Sequence, residues 1–178
     1  MKMKNLRTLY IASVSAALIL LGHAQSNKSA STEKPAALAA TEADLAPLPK
    51  IEKSNDEWKA ALTPAQFAVM RQKATERPGS SALVHEHRAG IFRCAACDAP
   101  LFASDAKFES GTGWPSFFKT FVEKNVATAK DKSFFTERDE VLCARCGAHL
   151  GHVFDDGPQP TGLRYCMNGV ALKFEPRP

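Results

Sequence analysis

Apolar residues along this chain fall into three textures. Residues 9–21 form an uncharged, mainly apolar run of 13 residues behind Lys2, Lys4 and Arg7, which is shorter than the roughly 20 residues a membrane span needs. Gly22-His23-Ala24 follows, with small residues three and one positions before a cut after Ala24. This is the form of an export leader over residues 1–24, with an uncleaved N-terminal anchor as the alternative. Residues 25–52 are rich in Ala, Ser, Thr, Pro and Lys and show no period, which predicts a flexible tether. The folded domain is expected over residues 53–178. It opens with two capping boxes, Ser54 with Glu57 and Thr63 with Gln66, the second with Pro64 at the first helical position. Leu62, Phe67 and Met70 can pack these helices on the domain, and Trp58 reads as a packing residue. From Ile91 onward the pattern changes to short β-like runs broken by turns, at 91–93, 101–103, 117–122, 133–137, 140–143, 150–154, 163–168 and 170–174, with Arg138-Asp139 as a hairpin tip. The expected fold is mainly β, a small sandwich or open barrel of antiparallel sheets with short N-terminal helices.

Charge adds little. The formal net charge is +4, and without the three cations Lys2, Lys4 and Arg7 of the leader about +1 is left, which gives no electrostatic case for a nucleic-acid partner.

The cysteines carry more. There are five, so they cannot all pair within one chain. Four form two C-x-x-C turns, Cys94/Cys97 and Cys143/Cys146, each closing a short β-run. Two such turns complete a tetrahedron of thiolates around Zn2+, leaving no open position for substrate, so the metal would be structural. The alternative is a pair of redox-active disulfides, but these normally sit at a helix start and no helical pattern follows either pair.

Cys166 is the remainder. On a strand, the period of two places Arg164, Cys166 and Asn168 on one face, with Tyr165 and Met167 on the other. Arg164 next to Cys166 favours the nucleophilic thiolate; a buried inert cysteine is the alternative. His149 and His152, three apart, would face opposite sides of a regular strand, so a shared site requires a bulge, which Gly151 would permit. Asp155-Asp156-Gly157-Pro158 is first of all a turn. In Gly111-Thr112-Gly113-Trp114-Pro115-Ser116 the glycines leave the backbone open, and Trp114 either plugs the core or walls a pocket for an apolar or sulfur-bearing ligand.

Taken in order, these segments resemble the B-type methionine-R-sulfoxide reductases: Leu62-Thr63-Pro64, Thr75-Glu76-Arg77-Pro78, Phe108-Glu109-Ser110 running into the Gly-Thr-Gly-Trp loop, Cys143 through Phe154, and Thr161 through Asn168. The resemblance spans roughly residues 54–175. It implies two antiparallel sheets, a four-cysteine zinc site at Cys94, Cys97, Cys143 and Cys146, and reduction of the R epimer of methionine sulfoxide, usually within proteins. It assigns the attack on sulfur to Cys166, orientation and protonation of the sulfoxide oxygen to His149 and His152, and support of the thiolate and its surroundings to Arg164 and Asn168. Trp114 would hold the substrate methyl group, with Phe154 and Asp156 also on the substrate side and Asp156 tuning the histidine or water network. Many members carry a resolving cysteine between the two glycines of the loop, where this chain has Thr112. A one-cysteine cycle follows, with a thioredoxin-like protein or small thiol as reductant, in a periplasmic or secreted monomer with no stable membrane association once the leader is cut.

Overall fold

The computed structural model describes residues 38–132 and 137–177. The leader, residues 25–37 of the tether and all but the last residue of the 133–137 run lie outside the described residues.

Both capping boxes form. Ser54 accepts from Glu57 N while the Glu57 carboxylate accepts from Ser54 N, starting α2 at Asn55–Ala61; Thr63 and Gln66 do the same for α3 at Pro64–Gln72. Trp58 is 1% exposed in a core with Leu62, Val69 and Met70, as its helical position suggests. Its ring lies beneath Lys53 and Arg71, whose charges are 5.0 and 4.6 Å from its centroid.

The strands form two antiparallel sheets. One has the order β2-β1-β9, made from Pro100–Ala103, Gly90–Cys94 and Leu172–Pro176. The other has the order β3-β4-β8-β7-β6-β5, made from Lys107–Phe108, Ser116–Phe117, Arg164–Met167, His149–Phe154, Arg138–Cys143 and Val126–Asp131. Aromatic rings join them. Phe117 of the larger sheet stacks on Phe102 at 4.5 Å and meets Phe92 edge-on at 4.9 Å, both from the smaller sheet. Leu150, Met167 and Val141 fill the same layer and are fully buried.

Three details depart from the sequence expectation. The 117–122 run is strand only at Ser116–Phe117, because the amides of Phe118 and Phe121 bond to Ala106 and Leu101 instead of continuing a ladder. Arg138-Asp139 is no hairpin tip: both residues are inside β6, paired with Asp131 and Lys130 of β5, a strand the sequence reading did not pick out. β5 is the outer edge strand, and its Thr128, Ala129 and Lys130 are exposed, which erases the alternation that marks a strand.

The tether is also shorter than its composition suggests. Thr41 and Asp44 make a third capping box on α1, Glu42–Leu45. Asp44 is buried and receives Arg93 at 3.1 Å and Arg177 at 2.8 Å, while Ile51 N bonds to Arg145 O. The hydrogen bonds from Thr41 and the Arg177 guanidinium hold its carboxyl below the ordinary range against the opposing cost of burial. Residues 41–51 are thus docked on the domain. Among the described residues no helix is long and apolar enough to cross a membrane.

Replacing Asp44 with Ala leaves Arg93 and Arg177 with only the half-exposed Glu175 as anion. Urea unfolding should show a loss of about 2 kcal/mol, the scale of a lost charged hydrogen-bond partner; a loss below a few tenths would mean that the strap is not docked in solution.

Candidate functional site

The two C-x-x-C turns are near copies. Asp98 N bonds to Cys94 O and Gly147 N to Cys143 O, both at 2.8 Å; Cys94 N bonds to Ala99 O and Cys143 N to Ala148 O, both at 2.9 Å. The residue after each second cysteine is left-handed, Asp98 at φ 67° and Gly147 at φ 68°. Glycine takes this conformation freely; Asp98 is among the few other types that tolerate it, and its carboxylate meets Lys173 Nζ at 2.6 Å.

These turns bring four sulfurs within 4.8 Å of one another. Cys94 and Cys146 are 3.8 Å apart and Cys97 and Cys143 3.5 Å apart, close to the edge of about 3.8 Å that a tetrahedron of 2.3 Å metal–sulfur bonds requires and far from the ~2.05 Å of a disulfide. All four are buried and unpaired. Hydrogen bonding with Cys143 pushes the Cys94 thiol up and pulls the Cys146 thiol down. Arg71 and Arg145 donate to the Cys146 and Cys97 carbonyls at 3.0 and 2.6 Å, bringing positive charge to the back of the cluster. The four thiols suit a metal ion.

Cys166, in contrast, is half-buried on a separate cavity of about 140 Å³. It is central in the larger sheet, pairing with Ser116 on β4 and His152 on β7. The period of two holds: Met167 is fully buried on the opposite face and Tyr165 packs 5.6 Å from Phe102. Trp114, His152, Phe154 and Asn168 share the cavity with Cys166, joined by Thr75, Arg138 and Gly151. A larger cavity of about 420 Å³ lies beside the metal clamp, but the only sulfurs on it are Cys143 and Cys146.

The expected bulge in β7 exists one residue early. Val141 pairs with Gly151 and Leu142 with His149, leaving Leu150 as the extra residue. It turns both histidines to one side, with ring centroids 5.4 Å apart. Gly151 has another reason to be glycine: a β-carbon there would run into the Cys166 carbonyl. Only His152 reaches the cavity wall; His149 lies against it, 3% exposed.

Each histidine has its own carboxylate, and sequence reasoning found neither. His149 Nδ1 is 2.8 Å from Glu140, a buried acid that also receives Lys73 at 2.8 Å. His152 Nε2 is 3.0 Å from Asp131, which also receives Arg138. Burial holds His149 below the ordinary imidazole range despite Glu140, whereas Lys73 and His149 keep Glu140 ionised against its own burial. His149 Nε2 is buried with no hydrogen-bond partner among the described residues. A charged residue set beside Val141 in a strand was the available signal for Glu140.

Asp156 and Asn168 have partners that spacing alone did not reveal. Asp156 reaches neither histidine; it grips Arg164 through two 2.8 Å bonds, and this guanidinium lies over Phe154 at 4.4 Å. That pair lowers the Asp156 carboxyl and raises Arg164, to which Cys166 contributes less. Asn168 is buried, accepting from Glu76 N at 3.0 Å and donating to Leu150 O at 3.1 Å. Glu76, another residue with no role assigned from sequence, accepts Trp114 Nε1 on its carbonyl and the Gly169 and Val170 amides on its carboxylate. It therefore fixes the tryptophan wall.

Thr112 Oγ1 lies 3.8 Å from Cys166 Sγ. It continues a row of hydroxyls: Thr112 to Ser110 and Ser110 to Ser116 are each 2.8 Å, and Ser116 donates to the Trp114 carbonyl at 3.2 Å.

These environments separate the five thiols. A thiol reagent should titrate Cys166 alone in the native protein and all five once a chelator has stripped the clamp, with a fall in thermal midpoint. Five reactive thiols before chelation would contradict a filled clamp.

The SelR domain model matches residues 62–176. The peptide methionine sulfoxide reductase MsrB of Methanosarcina mazei is 58% identical over 125 residues, covering 70% of this chain and 89% of its own. That of Bradyrhizobium diazoefficiens is 57% identical over 128 residues, covering 72% and 92%. Among solved structures, the Mis18 'Yippee-like' domain aligns over 51% of this chain and 99% of its own at 19% identity with a TM-score of 0.41, too distant to bear on fold or function. With its family match covering most of the chain, this protein belongs to the MsrB family of methionine-R-sulfoxide reductases, thiol-dependent oxidoreductases.

Proposed function

We propose that this domain reduces the R epimer of methionine sulfoxide in polypeptides, with Cys166 as nucleophile and no second cysteine of its own chain in the cycle. The observation that carries this is the arrangement of the sulfurs: four lie together in the clamp, and the fifth is on a small cavity lined by Trp114 and by His152, whose ring meets that of His149.

The Cys166 sulfur attacks the sulfoxide sulfur, the sulfoxide oxygen is protonated, and methionine leaves as Cys166 becomes a sulfenic acid. Cys166 loses two electrons and the substrate gains them. Two external thiols then return the enzyme, the first forming a mixed disulfide with loss of water and the second releasing Cys166. Thr112 occupies the place from which a resolving thiol would act, so a thioredoxin-like protein or small thiol must reach Cys166 directly.

His152 on the wall and His149 behind it supply the proton. With Nδ1 engaged by Glu140, His149 has Nε2 as the atom that carries a transferable proton, and the Glu140 charge favours the cationic ring that burial resists. Trp114 and Phe154 receive the substrate's apolar end, Arg164 stays beside the nucleophile in the grip of Asp156, and Asn168 holds β8 to Glu76. The ion in the clamp is Zn2+ on this reading, an all-thiolate set being one of its ordinary structural sites; it supplies cross-linking of the turns and no step of the reaction. The enzyme would be monomeric and work in the periplasm or outside the cell, a reading that rests on the leader pattern of residues 1–24.

Purified protein assayed on both epimers with dithiothreitol should turn over R and not S, and Cys166→Ser should abolish the activity; preference for S, or a fully active Ser variant, sinks the reading. Glu140→Gln removes the anion that favours cationic His149. Its kcat/KM should fall about tenfold or more, with the alkaline limb of the pH profile moved to lower pH. An unmoved profile would limit Glu140 to packing.

A further inference from the structure

The cavity at Cys166, about 140 Å³, is well below the ~300–1,000 Å³ of an ordinary ligand site. It can take one unbranched side chain and little more, so the rest of a polypeptide substrate must lie elsewhere on the surface. A second cavity of about 280 Å³ adjoins it, and Trp114 is the one residue that lines both. Its apolar wall is Val84, Phe108 and Trp114, all half-buried, with His85 and Glu109 exposed at the rim.

The wall between the cavities is fixed. Trp114 Nε1 is tied to Glu76 O, Gly79 N donates to Gly113 O at 2.7 Å, and a β-carbon on Gly113 would meet Pro78 at 2.8 Å. Gly113 at φ 89° is thus required twice, by its backbone and by the close approach. Phe108 belongs to β3, the outermost strand of the six-stranded sheet, so an extended chain entering here finds no further strand beyond it among the described residues. Ser110 lines this second cavity and is hydrogen-bonded to Thr112, which touches Cys166. The two cavities therefore share both a wall and a hydrogen-bonded connection.

We infer that the Val84–Phe108–Trp114 cavity is a substrate subsite that holds a bulky apolar residue next to the methionine sulfoxide of an extended polypeptide. The inference rests on the proposed sulfoxide reductase reading and specifies its substrate. The chemistry suits it: Val84, Phe108 and Trp114 present a wall without charge, against which an apolar side chain is removed from water.

The test uses three R-sulfoxide substrates with the full-length enzyme and dithiothreitol. They are N-acetyl-methionine sulfoxide, a pentapeptide with the sulfoxide flanked by leucine on both sides, and the same peptide with glycine in both places. The leucine peptide should exceed the glycine peptide in kcat/KM by about tenfold, the scale of burying one such side chain. Val84→Glu and Phe108→Ala should remove most of that gap while turnover of the N-acetyl compound stays at the wild-type rate. If Phe108→Ala loosens the fold, Val84→Glu alone decides. Equal rates on the two peptides in the wild type, or a gap that survives Val84→Glu, overturn the subsite. Failure on all three substrates overturns the sulfoxide reductase reading itself, so the two failures are distinct.

Discussion

Two sheets that share no strand meet at one end through four sulfur atoms, two from each. Cys94 ends β1 of the smaller sheet and Cys97 follows it; Cys143 ends β6 of the larger and Cys146 follows it. The aromatic layer of Phe92, Phe102 and Phe117 supplies attraction between the sheets, but such contacts are weakly directional. With a metal ion bound, the four thiols would supply direction, because tetrahedral ligation admits little sliding of one turn past the other. Cys143 is the last residue of β6 and Glu140, which holds His149, is on the same strand, so one strand carries both a sulfur of the cluster and the carboxylate behind the histidine.

Around the cavity at Cys166, four side chains are each held by a residue that does not itself line it. Glu140 holds His149, Asp131 holds His152, Asp156 holds Arg164, and Glu76 holds Trp114. Burying Glu140 is costly for an isolated carboxylate, and Lys73 together with His149 offsets the cost. The side chains around the cavity are thus fixed by contacts within the protein itself; on the proposed reading this sets the reacting groups before substrate arrives.

Much of this was legible because it is local. Capping boxes need residues three apart, knuckles need C-x-x-C, and the face shared by Arg164, Cys166 and Asn168 needs only a period of two. What escaped is long-range. Asp44 reads as a tether residue until Arg93 and Arg177 reach it, 49 and 133 positions away in sequence. Asp131 belongs to an edge strand whose exposed side hides its alternation. The histidine pair implied a bulge, but the sequence pointed to Gly151 because glycine usually marks one; here its missing side chain serves the close approach to Cys166, and Leu150 is the residue out of register. The resemblance offered Asp156 for the histidine or water network, and in the structure its carboxylate is held by Arg164.

The hydroxyl row from Ser116 through Ser110 to Thr112 has a consequence for how the nucleophile responds to its surroundings. None of these three groups ionises in the physiological range. On that flank the sulfur therefore has neighbours of constant charge, ending on the backbone carbonyl of Trp114. Across the strand, on β7, stand two imidazoles with a carboxylate each. The groups that can ionise thus stand on one side of the sulfur, and the hydroxyls, tied to the backbone of the Trp114 loop, on another. On the proposed reading, proton supply and substrate contact arrive at Cys166 by separate routes.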